Sequence, residues 1–281
     1  MQNSVTNATL RSHAQDVVKK NFGKIFLMML IVAVIPSVVI GVISLIFSLF
    51  LPVSLNILLS VPASYLVQFY GPSIIAMYIA YTVVITIVSA LIAPALTLGL
   101  YNGILQLIRG EQTGVGVVFS RISSCLKGFL LSLFVGLRIW LWTLPGLGVL
   151  TLGLIIGGSF GIVLTIVGFI LMYALIIPAA FRYCMSLPAL ADQPELGVLG
   201  SFRKSKEIMQ GRKWQYFKLV FFYVLIFVAF IIVLSLLSAL LAKAPVLFIP
   251  LLIVSLVVFL AISMVIQVAS LTFYGVYSGS N

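Results

Sequence analysis

The chain has 281 residues, of which 63% are hydrophobic and only 7% charged, and its mean hydropathy is +1.29. Soluble domains carry about 25% charged residues, so a soluble fold is excluded and the length accommodates about six membrane spans of roughly 20 residues each. The net charge of +11 lies beside apolar segments and forms no separate basic domain, which points to a membrane surface and away from nucleic acid.

Residues 1–24 are polar for too long to form a signal peptide and read as mature sequence. Within them, Leu10, Ala14, Val17 and Val18 recur at helical spacing, with Arg11, Asp16, Lys19 and Lys20 mostly on the other side. This pattern predicts an interfacial helix lying on the headgroups. The uncharged run from Ile25 to Phe50 is the first span, kinked at Pro36. Residues 51–72 are also uncharged, but a crossing there would carry Arg109, Arg121 and Lys127 to the side opposite Lys19, Lys20 and Lys24. The positive-inside rule therefore makes them a non-spanning external hairpin.

The second span runs from Ser73 to Leu107, with a kink expected at Pro94 and its last turns projecting into the interface. Val115, Val117, Val118, Phe119 and Ile122 then predict a second, weaker interfacial helix. Span three starts at Gly128 and meets a break at Pro145, Gly146 and Gly148, and span four is expected after Gly157 and Gly158, the outer turn falling at either glycine cluster. Gly153, Gly157, Gly161 and Gly168 read as close-packing positions between helices.

The stretch from Leu190 to Phe217 is the longest able to face water. It contains an interfacial helix with Leu196, Leu199, Phe202 and Met209 opposite Arg203, Lys206 and Arg212. Span five runs from Trp214 to Leu241, an external corner carries Lys243, and span six runs from Phe248 to Tyr274. All but Arg138 and Lys243 of the sixteen Lys and Arg residues then lie on one side, which by the positive-inside rule is the cytoplasm, together with both termini. Cys125 and Cys184 fall on that side and read as reduced thiols.

The expected fold is thus an all-α, polytopic membrane helical bundle of about six transmembrane helices with cytoplasmic amphipathic surface helices. It forms one domain over 1–281, with an amphipathic segment at 1–24, a first hairpin at 25–107, a second at 108–182, and a surface helix plus third hairpin at 183–281. Each outgoing span is preceded by a basic segment and opens with a lysine near phenylalanines, as in GKIFLMML, LKGFLLSLF and KWQYFKLVFF. Three repeated hairpins explain this, and so does the ordinary start of any positive-inside helix.

Three groups of residues are candidate sites. Arg203, Lys204, Lys206, Arg212, Lys213 and Lys218 form a surface for anionic lipid or a protein partner. Arg138, about 16 Å deeper than Lys127 at helical rise, is either a snorkelling arginine or the charge of an internal cavity. Asp192 and Glu195, on either side of Gln193 and Pro194, have capping-box spacing. The single histidine, His13, stands without a ligand cluster, and no pattern of residues calls for a catalytic group, metal or cofactor.

The stretch FRYCMSLPALADQPELGVLGSFRKSKEIMQGRKWQYFKL resembles the signature of a bacterial integral membrane family, domain of unknown function 975, through Arg182, Tyr183, Asp192, Pro194, Ser205, Met209, Gly211, Lys213, Trp214 and Phe217. LGLYNGILQLIRGEQ adds weaker support. The resemblance implies a multi-pass protein of the bacterial cytoplasmic membrane and carries no activity with it. The expected function is a non-enzymatic accessory or scaffold component that binds anionic lipid or a membrane protein partner. The alternative is a transporter or exporter of a small or amphipathic molecule, with Arg138 in an internal cavity.

Overall fold

The computed structural model describes residues 5–50, 65, 68, 71, 73–240 and 248–279. All regular structure among them is helical, and six helices are long and apolar enough to cross a membrane. They are α1 (Asn7–Phe50), α2 (Ser73–Ile108), α3 (Cys125–Ile156), α4 (Gly158–Tyr183), α7 (Lys213–Leu240) and α8 (Phe248–Ser278). Two shorter helices, α5 (Ser186–Asp192) and α6 (Gly197–Met209), join α4 to α7. Large apolar side chains such as Ile155 (79% exposed) and Phe160 (65%) face outward along the spans. A surface of that kind is stable in lipid and not in water, so the chain is a multi-spanning membrane protein. Most of the expected external hairpin at 51–72, and the corner carrying Lys243, lie outside the described residues.

The core sits at the end of the bundle that carries the charge, the basic end. Leu96, Leu100, Ile104 and Leu105 of α2 are buried there against Ile25 and Met28 of α1, and Val268, Leu271 and Tyr274 of α8 close the same cluster. Past Met28 of α1, and between Ile74 and Ala95 of α2, no residue is buried among those described. α1 and α2 therefore pack on the bundle chiefly at the basic end and present most of their opposite halves to lipid.

The expected amphipathic face of the N-terminal helix is present: Leu10, Ala14, Val17 and Val18 are buried. They face protein and not headgroups, because α8 and the end of α2 cover them. The bend that separates this helix from the first span is at Asn21 (φ −121°, ψ 24°), whose side-chain amide donates to the Val17 carbonyl at 3.2 Å; the helix continues through Pro36.

The expected second interfacial helix is two short 3₁₀ turns, Val115–Phe119 and Ile122–Ser124. Gly99 lets this loop close onto α2, because a Cβ there would collide with the Val118 carbonyl. At Gly103 a Cβ would stand 2.5 Å from Val117 Cγ1.

The break expected at Pro145, Gly146 and Gly148 does not occur. α3 is continuous over 32 residues to Ile156, and the chain reverses at Gly157 (φ 65°) and Gly158 (φ 62°). Its length, about 48 Å at 1.5 Å per residue, exceeds the hydrocarbon thickness of about 30 Å. Pro145 lies inside the helix, and its neighbour Gly146 serves packing: a Cβ there would lie 2.5 Å from Met172 Cα of α4. Gly153, Gly161 and Gly168 repeat this close approach along the hairpin, as expected of small residues between membrane helices, whereas Gly157 forms the turn.

Candidate functional site

The long basic stretch divides into a buried part and a wet part. Its beginning does not face water: Leu190 and Ala191 are fully buried in α5, and Ser186, Pro188 and Ala189 are buried with them. The capping box expected at Asp192 and Glu195 is absent. Asp192 is the last residue of α5, a 3₁₀ turn (Pro194–Leu196) follows, and neither that turn nor α6 has a side-chain cap hydrogen bond. A partner elsewhere in the bundle takes the carboxylate instead. Arg109 Nη2 donates to Asp192 Oδ1 at 2.6 Å, and the Tyr274 hydroxyl donates to Oδ2 at 3.1 Å. One nearly buried carboxylate thus ties α2, α5 and α8 together.

α6 buries Ser201, Phe202, Ser205, Ile208 and Met209, so its apolar face is taken up by the bundle. Phe202 stacks on Tyr183 with ring centroids 4.6 Å apart and meets Phe134 edge-on at 4.8 Å. The Ser205 hydroxyl donates to the Arg182 carbonyl at 3.0 Å and accepts from the Met185 amide at 3.2 Å, which closes the joint between α4 and α5. Leu199, expected on the apolar face, is 58% exposed. Gly211, at φ 74°, turns the chain from α6 into α7.

With the apolar side of α6 packed inward, the basic residues from α6 to the first turns of α7 point in different directions. Arg203 is exposed, Lys204 is half-buried, and Arg212 turns to the α8 side, where it lies 4.5 Å from the Tyr277 ring and donates to the Ile208 carbonyl. Lys218 sits 5.6 Å from the Trp214 ring. Lys206 and Lys213 join Arg182 in a groove of about 630 Å³, completed by Gln210, Gly211 and Trp214. Comparisons with protein-family models, curated proteins and solved structures find no match.

The electrostatics of the groove are one-sided. Desolvation first, and then the fields of Arg182, Arg138 and Arg203, push the Lys206 pKa below that of an ordinary lysine. Among the described residues no carboxylate forms an ion pair with Arg182, Lys206 or Lys213. Arg138 is not enclosed in an internal cavity: its side chain is exposed, and its guanidinium lies 5.3 Å from the Phe134 ring. It stands level with the groove because α6 packs on α3 at Phe134, one turn earlier.

The groove continues along α4. A second cavity, of about 150 Å³, shares Arg182 and Lys213 with the first and is lined by Trp142, Ala174, Leu175, Pro178 and Ala179. Sequence reading put Lys206 and Lys213 on a charged surface but missed Arg182, although it stands at the end of span four within the same stretch. Arg182 becomes part of the site only because α6 folds back beside α4, a long-range arrangement that no local pattern encodes. No group of three His, Cys, Asp or Glu side chains that could hold a metal occurs among the described residues. His13 lines a separate cavity with Arg109, Thr272 and Val276.

Proposed function

We propose that this chain is a non-enzymatic accessory or scaffold protein of the bacterial cytoplasmic membrane, with both termini inside and its basic end held against the anionic inner leaflet. The observation that carries this reading is the cluster of Arg182, Lys206 and Lys213 at the rim of the bundle, with no carboxylate to neutralise it among the described residues. Juxtamembrane cations are each attracted to an anionic leaflet by about 1 kcal/mol. The resemblance of the surrounding stretch to domain of unknown function 975 supports the bacterial assignment. Arg138, exposed beside Phe134, adds to the same field and supports the lipid reading over transport through an internal cavity.

The test is reconstitution into nanodiscs of mixed anionic and zwitterionic lipid, with measurement of the anionic fraction around the protein. Enrichment over the input mixture is expected, and it should decline with salt and with neutralisation of Lys204, Lys206 and Lys213. A lipid shell of input composition, unaltered by salt, would refute the reading.

A further inference from the structure

We propose that the groove between α4, α6 and α7 is a binding site for one anionic glycerophospholipid, its phosphate held by Arg182, Lys206 and Lys213 and one acyl chain lying along Trp142, Leu175 and Pro178. The proposal rests on the lipid reading above and deepens it from a diffuse attraction to a stoichiometric site.

Three features of the groove match that ligand. The first is its polarity gradient. The larger cavity, of about 630 Å³, carries every cation together with Gln210, whereas the adjoining one, of about 150 Å³, is apolar apart from Arg182 and Lys213, which belong to both. A charged head joined to a hydrocarbon tail has the same division. The second is direction. α4 runs from the turn at Gly157 toward the basic end, so Pro178, Leu175 and Ala174 lie progressively deeper in the membrane than Arg182. The head thus sits at the interface and the tail points into the bilayer.

The third feature is charge balance. Three cationic groups line one groove, none of them in an ion pair with a carboxylate among the described residues, and the exposed Arg138 adds its field at Lys206. The N-terminus of α7, which begins at Lys213, adds its positive dipole end to the groove. A phosphate diester relieves this mutual repulsion with charge-assisted hydrogen bonds. The lowered Lys206 pKa agrees: desolvation is its first cause, and the fields of Arg182, Arg138 and Arg203 add to it. Trp214 lines the headgroup cavity and stacks on Phe217 at 5.0 Å, the amphipathic ring placement favoured at a membrane interface.

The experiment is native mass spectrometry of the full chain, extracted from bilayers of dioleoyl phosphatidylglycerol and dioleoyl phosphatidylcholine and taken through stepwise delipidation. Wild type should retain one phosphatidylglycerol after the remaining lipid is lost. Arg182→Gln with Lys213→Gln should lose it at least tenfold more readily, and Trp142→Ala should weaken retention to a lesser degree. Lys19→Gln with Lys20→Gln removes the same charge from α1 and should leave retention unchanged.

Equal loss in both pairs would overturn the site while leaving the general attraction to anionic lipid in place. Absence of any anionic enrichment, with no lipid retained by wild type, would remove both. Inorganic phosphate at millimolar concentration should not displace the lipid. Full displacement would mean a soluble-anion site and would also overturn the proposal, as would equal retention of phosphatidylcholine.

Discussion

Asp192 shows how much one side chain contributes to the basic end. Its carboxylate is nearly buried and receives Arg109 and Tyr274, which come from helices far away in sequence. Removing one member of a buried pair leaves the other charge without compensation, at a cost of about 3 to 5 kcal/mol. Arg109 is partly exposed, so Arg109→Ala should fall at the low end, about 3 kcal/mol. The check is thermal unfolding in detergent. Arg109→Met combined with Asp192→Leu should recover much of the loss, and a single variant as stable as wild type would show that the pair holds nothing together. The spacing of Asp192 and Glu195 was legible in the sequence as a cap. The partners that overrule it were not, because an ion pair across the bundle leaves no local pattern.

Among the helices, the hairpin of α3 and α4 is the clearest case of packing set by missing side chains. A Cβ on Gly153 would lie 2.6 Å from Thr165 N, and one on Gly161 would lie 2.5 Å from the Gly153 carbonyl oxygen. Gly153→Val should therefore separate the two helices, at the cost of about 1 to 3 kcal/mol typical of overpacking. Spin labels at Leu154 and Ile162 would report the separation as a longer distance. Gly148→Val is the control, since a Cβ there meets nothing within 4 Å; an equal effect from both would remove glycine packing as the cause. The same glycines explain what sequence reading caught and missed. Their role as close contacts was visible from composition, but Pro145 beside Gly146 also resembled a turn, whereas the helix continues there to Ile156 with Gly146 packed on α4.

At the scale of the whole molecule, the number of spans and the concentration of charge at one end followed directly from hydropathy and the positions of Lys and Arg. What the amphipathic faces touch did not follow. Leu10, Ala14, Val17 and Val18 have the periodicity of a helix lying on lipid, yet the same periodicity serves a helix lying on protein, and here α2 and α8 cover them. The proposed orientation can be checked at Glu195, which is exposed at the basic end. With Cys125 and Cys184 replaced by serine, Glu195→Cys should react with a membrane-impermeant maleimide only after the cells are permeabilised. Labelling of intact cells would reverse the topology.

The packing of the first helix on the last two spans has a consequence for how the protein is made. The Asn7 side chain donates to the Gln215 carbonyl, Gln215 in turn donates to the Val5 carbonyl, and Leu10 shares a core with Val268 and Tyr274. A chain emerging from the ribosome inserts its early spans long before these partners exist, so the part of its first helix that α7 and α8 cover stays open until they arrive. Completion of the core is thereby coupled to completion of synthesis.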